Sequence, residues 1–209
     1  MDRTKEYLEM LAKRKAIITG SHVVYTSGKH GSAYVNKDAV YPFVDDISLL
    51  CFNLAAFFGQ FEPEAVIAPA IGGVIMSQWM AYHLTSSRGQ GVRAVYAEKD
   101  GDNFVVKRGY DKLITGKKVL VVEDVLTTGG SVKKVVIATR ACGAEVVGVG
   151  ALCNRGGLTA DLLGVPCFHA LLDIPLEAFD EAACPLCAQG VPINTDVGKG
   201  REYLARQKP

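Results

Sequence analysis

The 209-residue sequence predicts an α/β fold, a mostly parallel sheet flanked by helices, from two observations. Short runs rich in branched apolar residues recur at "AVIAPA" (Ala65–Ala70), "VRAVYAE" (Val92–Glu98), "KKVLVVED" (Lys117–Asp124), "EVVGVGALCN" (Glu145–Asn154) and "VPCFHALL" (Val165–Leu172). Near-continuous apolar strands are typical of a sheet covered on both faces. Helical stretches separate several of them, and strands that alternate with helices build a parallel sheet.

The elements follow in order. "MDRTKEYLEMLAKRKA" opens the chain as an amphipathic helix with Tyr7, Leu8 and Leu11 on one face, and it lacks the apolar core of a signal peptide. "TGSHVVYTSGKHGSAYVNKDAVY" is punctuated by Gly and Ser and predicts short strands and turns. Asp45 and Asp46 are placed to cap a helix over "ISLLCFNLAAFF". After the first apolar strand, "IGG" turns into the helical "VIMSQWMAYHL". "KDGDNFVVKRGYDKLITG", Lys99 to Gly116, lies between two strands as a long hairpin or mobile loop, and its charges make it a candidate lid. "SVKKVVIATRAC" predicts a helix stopped at Gly143, between the third and fourth strands. There is no internal repeat or low-complexity tract, and no stretch reaches the length expected of a membrane span.

A formal net charge of +1 argues against a chain built to coat nucleic acid or an acidic membrane, so any anion must be held by a local site. Six cysteines, mostly in apolar segments, suit reduced buried thiols and a cytoplasmic setting. The exception is "CPLC", Cys184 to Cys187, which has the spacing of half a tetrahedral zinc site. His22, His30, His83 and His169 are spread widely along the chain, so a structural or incidental role for the pair is the expectation, with ligands shared across a dimer as an alternative.

The functional signal is "VLVVEDVLTTGGS", Val119 to Ser131. Ligands of open parallel sheets bind at the carboxyl ends of strands, and Glu123 and Asp124 are placed at such an end. The residues after them enter a helix whose first turn exposes N–H groups and the positive end of the dipole. Gly129 and Gly130 permit close approach, while Thr127, Thr128 and Ser131 add hydroxyl donors, which suits a phosphate. The carboxylates suit sugar hydroxyls or a hydrated Mg²⁺. A phosphorylated sugar satisfies both halves. The chain has no GxxxxGK[ST] loop, and "GVG" at Gly148–Gly150 lacks the third glycine of a dinucleotide fingerprint.

This stretch closely resembles the phosphoribosyl-pyrophosphate (PRPP) loop of type I phosphoribosyltransferases. The wider chain is most similar to the orotate phosphoribosyltransferase branch, through "YTSGKHGSAYV", "APAIGG", Glu98–Lys99, Arg155 and "CPLCAQGVPI". The resemblance implies a type I phosphoribosyltransferase fold in one domain, 1–209, with a small N-terminal hood mainly at 1–44, a core at about 45–182 and an extension at 183–209. It implies transfer of the phosphoribosyl group from PRPP to orotate, giving orotidine 5'-phosphate and pyrophosphate. Glu123 and Asp124 would hold the ribose hydroxyls. Val125 and Leu126 would join Thr127, Thr128, Gly129, Gly130 and Ser131 in the PRPP site, with the last five around the 5-phosphate. Ala70, Ile71, Gly72 and Gly73, after Pro69, would cradle pyrophosphate through backbone N–H groups, and Lys99 would contact it. Thr127, Arg155, Tyr34 and Val35 would recognise orotate, with Ser27, Gly28 and Lys29 in the hood. Mg²⁺ is the implied cofactor, held mainly by PRPP rather than by protein side chains, and a homodimer the implied assembly, with no nucleic-acid or membrane partner.

The chain also departs from its relatives. Glu98 stands where many carry Arg, Gly72 and Thr26 where many carry Lys, and Asp102 and Phe104 where Lys and His are common. These differences shift the expected basic contact to Lys107 and Arg108, acting in trans on a neighbouring subunit. Two alternatives remain open: transfer to another base such as a purine, and a non-catalytic PRPP sensor.

Overall fold

Tyr7 and Leu11, four residues apart, are the buried face of helix α1 (Thr4–Lys13), with Leu8 half-buried beside them. In this computed structural model, which describes residues 3–25, 27–174 and 176–207, the next segment forms an antiparallel hairpin, β1 (Ile17–Val24) and β2 (His30–Val35). The ladder is irregular between Thr19 and Val23. Thr26 lies outside the described residues.

Helix α2 (Val44–Phe58) starts three residues before Ile47, where the acid cap predicts it. Phe43 is the N-cap, without a side-chain cap bond, and Asp45 and Asp46 lie in the first turn, where negative charge favours the helix dipole. Ile47, Leu50, Cys51, Leu54, Ala55 and Phe58 form its buried face. A 3-10 turn carries the helix on to Phe61, and the 18-residue stretch Val44–Phe61, with mean hydropathy 1.2, is long and apolar enough to cross a membrane. The expectation that no stretch reaches that length is thereby corrected. In this fold α2 packs on a neighbouring helix and the sheet, and burial of Phe58 alone contributes about 1.5–3 kcal/mol.

The remaining elements are β3 (Ala65–Pro69), α3 (Val74–Arg88), β4 (Arg93–Asp100), β5 (Asn103–Val105), α4 (Tyr110–Ile114), β6 (Lys118–Leu126), α5 (Gly130–Ala141), β7 (Glu145–Asn154), α6 (Ala160–Leu163) and β8 (Phe168–Asp173). Gly89, at φ 66°, ends α3. The sheet order is β5-β4-β3-β6-β7-β8, parallel throughout except for the β4–β5 hairpin. Phe58 lies against Gly148 and Gly150 of β7, where an added Cβ would come within 3.0 and 2.9 Å of its ring. The absent side chains make the groove that seats it.

The charged Lys99–Gly116 segment is less loop-like than its composition suggests. Its first part is the expected hairpin, but Ile114 of α4 is fully buried and Phe104, Val106 and Tyr110 pack against the core.

By contact density the chain divides into two units, Phe43–Ile174 and Met1–Pro42 with Pro175–Pro209. In the second, the C-terminal segment with α7 (Pro185–Ala188) and α8 (Gly200–Gln207) joins the N-terminal hairpin through backbone bridges His22–Ile193 and His30–Phe179. This corrects the view that the histidines lie too far from the CxxC to meet it. His22 and His30 share one cluster with Cys184 and Cys187, their ligand atoms all within 4.8 Å of one another. Sequence separation was the misleading signal, because backbone pairing closes the gap.

Candidate active site

Strand β3 leads through α3 to β4 on one side, and β6 leads through α5 to β7 on the other. The connections therefore part between β3 and β6, which is where an open α/β sheet forms its ligand crevice. Register deepens the crevice. β3 pairs with β6 through Ile67–Val121, whereas β7 continues to pair with β6 through Leu126–Asn154. The last residues of β6 thus project past β3 while supported from behind.

Glu123 and Asp124 lie in this projection, three and two residues before the strand ends at Leu126 rather than at its end. Strand alternation points adjacent side chains to opposite faces. Glu123 lines a cavity with Val125, Leu126, Thr127, Thr128, Gly129, Gly130, Ser131 and Val132. Asp124 is 4% exposed, and its Oδ1 accepts from the Val125 N–H at 2.6 Å. The two acids thus occupy different settings, one facing the cavity and one buried in the strand.

Gly129, at φ 71°, is the N-cap of α5, and the Lys133 N–H donates to its carbonyl at 2.9 Å. The N–H groups of Ser131 and Val132 lie before that bond, outside the helix ladder, as an anion requires, while that of Gly130 donates to Thr128 Oγ1 at 3.4 Å. Thr127, Thr128 and Ser131 are exposed.

Two residues not singled out by the sequence build the far wall. An added Cβ at Gly156 would lie 1.6 Å from the Thr127 carbonyl oxygen, so only glycine lets the chain after β7 pass beneath the loop. Asn154, 4% exposed, donates to the Leu158 carbonyl at 3.1 Å and Asp173 Oδ1 at 2.8 Å, while its Oδ1 accepts from the Leu158 N–H at 3.0 Å. The available signal was "NRGG", a polar residue and paired glycines directly after a strand. Arg155, between them, is 9% exposed, so it is not a surface ion-pair residue, and its N–H donates to the Leu126 carbonyl at 2.7 Å. Burial pushes the nearby Cys153 thiol up to about 12, with Arg155 acting in the opposite sense, which removes it as a nucleophile.

Across the crevice, the Ala70–Ile71 peptide is cis and Ile71 is 87% exposed. The N–H groups of Ala70 and Gly73 are committed to Ala97 (2.8 Å) and Pro69 (3.3 Å) carbonyls, which narrows the expectation that all four residues offer N–H groups to a ligand. A Cβ on Gly73 would stand 2.7 Å from that of Ala68 and 3.5 Å from Glu123 Oε1, so this turn and the acid are neighbours. Gly72 lies half-buried between Ile71 and Gly73, and Lys99 is exposed near the carboxyl end of β4. Lys107 pairs with Asp100 at 3.6 Å and Arg108 with Glu98, both within the hairpin region. The Lys134 ammonium donates to the Asp102 carbonyl, fastening the hairpin tip to α5. In the smaller unit, Tyr34 is half-buried and Val35 buried on β2.

A family profile described as "Phosphoribosyl transferase domain" matches residues 50–167. Orotate phosphoribosyltransferase from Thermotoga maritima is 38% identical over 192 residues, covering 92% of this chain and 97% of that protein. The Desulforamulus reducens enzyme of the same name is 39% identical, covering 90% and 93%. Among solved structures, Mycobacterium tuberculosis orotate phosphoribosyltransferase in complex with PRPP superposes with a TM-score of 0.61 at 21% identity, over 83% of this chain and 97% of that one, a likeness of fold.

Gly156→Ala is expected to displace the Thr127 carbonyl and weaken binding of ribose 5-phosphate at least about tenfold, about 1.4 kcal/mol, by calorimetry. The far-ultraviolet circular dichroism should be unchanged, and Gly91→Ala, with nothing within 4 Å of its added Cβ, should bind normally. Wild-type affinity in Gly156→Ala would remove this contact from the site.

Proposed function

We propose how the cleft works from one premise: this chain belongs to the orotate phosphoribosyltransferase family. It is a pentosyl-transferring enzyme of pyrimidine biosynthesis that moves the phosphoribosyl group of PRPP to orotate, releasing orotidine 5'-phosphate and pyrophosphate. The observation that carries the assignment of this cleft is the acid-bearing overhang of β6 leading directly into a glycine and hydroxyl loop at a helix N-terminus.

The residues divide the substrate by its chemistry. Thr127, Thr128, Gly129, Gly130 and Ser131 surround the 5-phosphate with N–H and hydroxyl donors. Glu123, facing the cavity, accepts from the ribose hydroxyls, while Asp124, buried behind it, fixes the strand beneath through the Val125 N–H. Gly73 stands beside Glu123, so the pyrophosphate arm of PRPP leads toward the Ala70–Gly73 turn, and Lys99 adds positive charge as it departs. Acceptor-only carboxylates beside the turn fit a hydrated Mg²⁺ carried by PRPP, which supplies charge neutralisation at the leaving group. No covalent nucleophile is required, because catalysis rests on positioning and on stabilising charge. Arg155, with Thr127, meets the orotate carboxylate, since a guanidinium fork binds a planar carboxylate in two places. A cytoplasmic setting accords with the six free cysteines.

The working unit in this reading is a two-fold dimer in which Lys107 and Arg108 reach the neighbour's pyrophosphate. Both bases are exposed, and ion pairs screened by solvent contribute little, so these pairs with Asp100 and Glu98 are readily exchanged for a phosphate.

Arg155→Ala should lower kcat/KM for orotate by about one to two powers of ten, the loss of a charge-assisted pair, with PRPP affinity within about twofold of wild type. An equal collapse of PRPP binding, or unchanged orotate kinetics, would contradict the role. Mixing inactive Glu123→Gln with inactive Lys107→Ala/Arg108→Ala tests the shared loop. Freely exchanging dimers should regain about a quarter of wild-type activity, because about half are mixed and each mixed dimer has one intact site. No recovery on mixing, or a monomer at working concentration, would rule the shared loop out.

A further inference from the structure

The smaller unit contains a cluster that phosphoribosyl transfer does not use. His22 on β1 and His30 at the start of β2 are 2% and 0% exposed, Cys184 is 3% exposed, and Cys187 is half-buried beside them. We infer that these four side chains hold one structural zinc ion that fastens the N-terminal hairpin to the C-terminal segment.

The distances fit the ion. Tetrahedral zinc, with bonds of about 2.3 Å to sulfur and 2.0–2.1 Å to nitrogen, sets its ligand atoms about 3.3–3.8 Å apart. Cys187 Sγ lies 3.3 Å from His30 Nδ1 and 3.6 Å from His22 Nε2, and Cys184 Sγ lies 3.7 Å from His22 Nε2. The two nitrogens are 2.9 Å apart and separate by a few tenths of an ångström to admit the ion.

The outer contact of His22 has the right polarity. His22 Nδ1 donates to the Val191 carbonyl at 2.7 Å, which leaves the Nε2 lone pair directed at the cluster. Gly190, at φ 66°, makes the turn after the CxxC that brings that carbonyl into place. Both histidines are also pinned through their backbones. The Asn194 N–H donates to the His22 carbonyl at 2.7 Å, and His30 and Phe179 exchange two bonds of 2.8 Å.

Charge and access select the role. Two thiolates and two neutral imidazoles cancel the charge of a divalent ion, so the loaded site is neutral, as a buried site requires. Four protein ligands in a largely buried pocket leave no position for water, which marks a structural rather than a catalytic centre. The donor set of two sulfurs and two nitrogens favours zinc over magnesium or calcium. A metal here ties residues 157–165 positions apart, in a unit whose two segments are short and separated in sequence by the whole of the other unit.

The test is metal content of the full chain, expressed without a polyhistidine tag in zinc-containing medium and purified reduced and free of chelator. Mass spectrometry should find about one zinc per chain, falling to below about a tenth in Cys184→Ser/Cys187→Ser and staying near one in Cys142→Ser. Wild-type protein stripped by chelation should melt at a lower temperature. On addition of Co²⁺ it should develop the ligand-field bands of tetrahedral cobalt and thiolate charge-transfer bands. Wild-type protein with less than about a tenth of a zinc and no cobalt bands would overturn the inference, and its reading does not depend on any variant folding. So would zinc retained in the double variant, or a Cys184–Cys187 disulfide in anaerobically prepared protein. None of these readouts involves orotate or PRPP, so their failure leaves the transfer reaction untouched.

Discussion

The active cleft depends on unequal strand pairing. β3 leaves β6 at Ile67–Val121, and β7 accompanies it to Leu126–Asn154. A strand end bare on both edges would fray, and one paired on both edges would have no open side for a ligand. Pairing on one side alone keeps Glu123 and Asp124 in register while opening the crevice toward the Ala70–Gly73 turn. The loop after β6 inherits that support. Gly156 passes under the Thr127 carbonyl, Asn154 ties the following turn to β8, and Gly129 sits tightly against Leu158 and Leu163. The wall that carries Arg155 and the loop built for phosphate are therefore one packed assembly.

Electrostatics acts locally on this frame. With a net charge of +1, the protein has no overall field to gather a polyanion such as PRPP. In the proposed reading, attraction comes from the α5 N-terminus, Lys99 and the hairpin bases. Glu98 beside Arg108 raises that guanidinium still further above its ordinary range, chiefly by hydrogen bonding, so the side chain is a permanent cation whether it faces Glu98 or a phosphate. Lys107 and Arg108 carry positive charge in the hairpin region, and Asp100 and Glu98 pair with it in this conformation.

Much of this architecture was legible in the sequence because its signals are local. Branched apolar runs gave the parallel strands, and the acids, hydroxyls and glycines from Glu123 to Ser131 gave the cavity lining. Long-range contacts left weaker traces. Nothing local in "NRGG" reveals that Gly156 underlies Thr127, and the charges around Ile114 masked a residue that is fully buried. The N-cap of α2 is Phe43, two residues before the nearer acid, since Asp45 and Asp46 serve the helix dipole as well inside the first turn as before it. His22 and His30 looked remote from Cys184 and Cys187 because the backbone bridges that unite them join opposite ends of the chain.

The central claim is that this cleft joins the phosphoribosyl group specifically to orotate. The most direct measurement follows pyrophosphate release from PRPP and Mg²⁺ across a panel of orotate, uracil, adenine, guanine and hypoxanthine. The account predicts rapid release with orotate, accompanied by orotidine 5'-phosphate, and only background release with the other bases. Preference for a purine, or PRPP binding without turnover of any base, would contradict it.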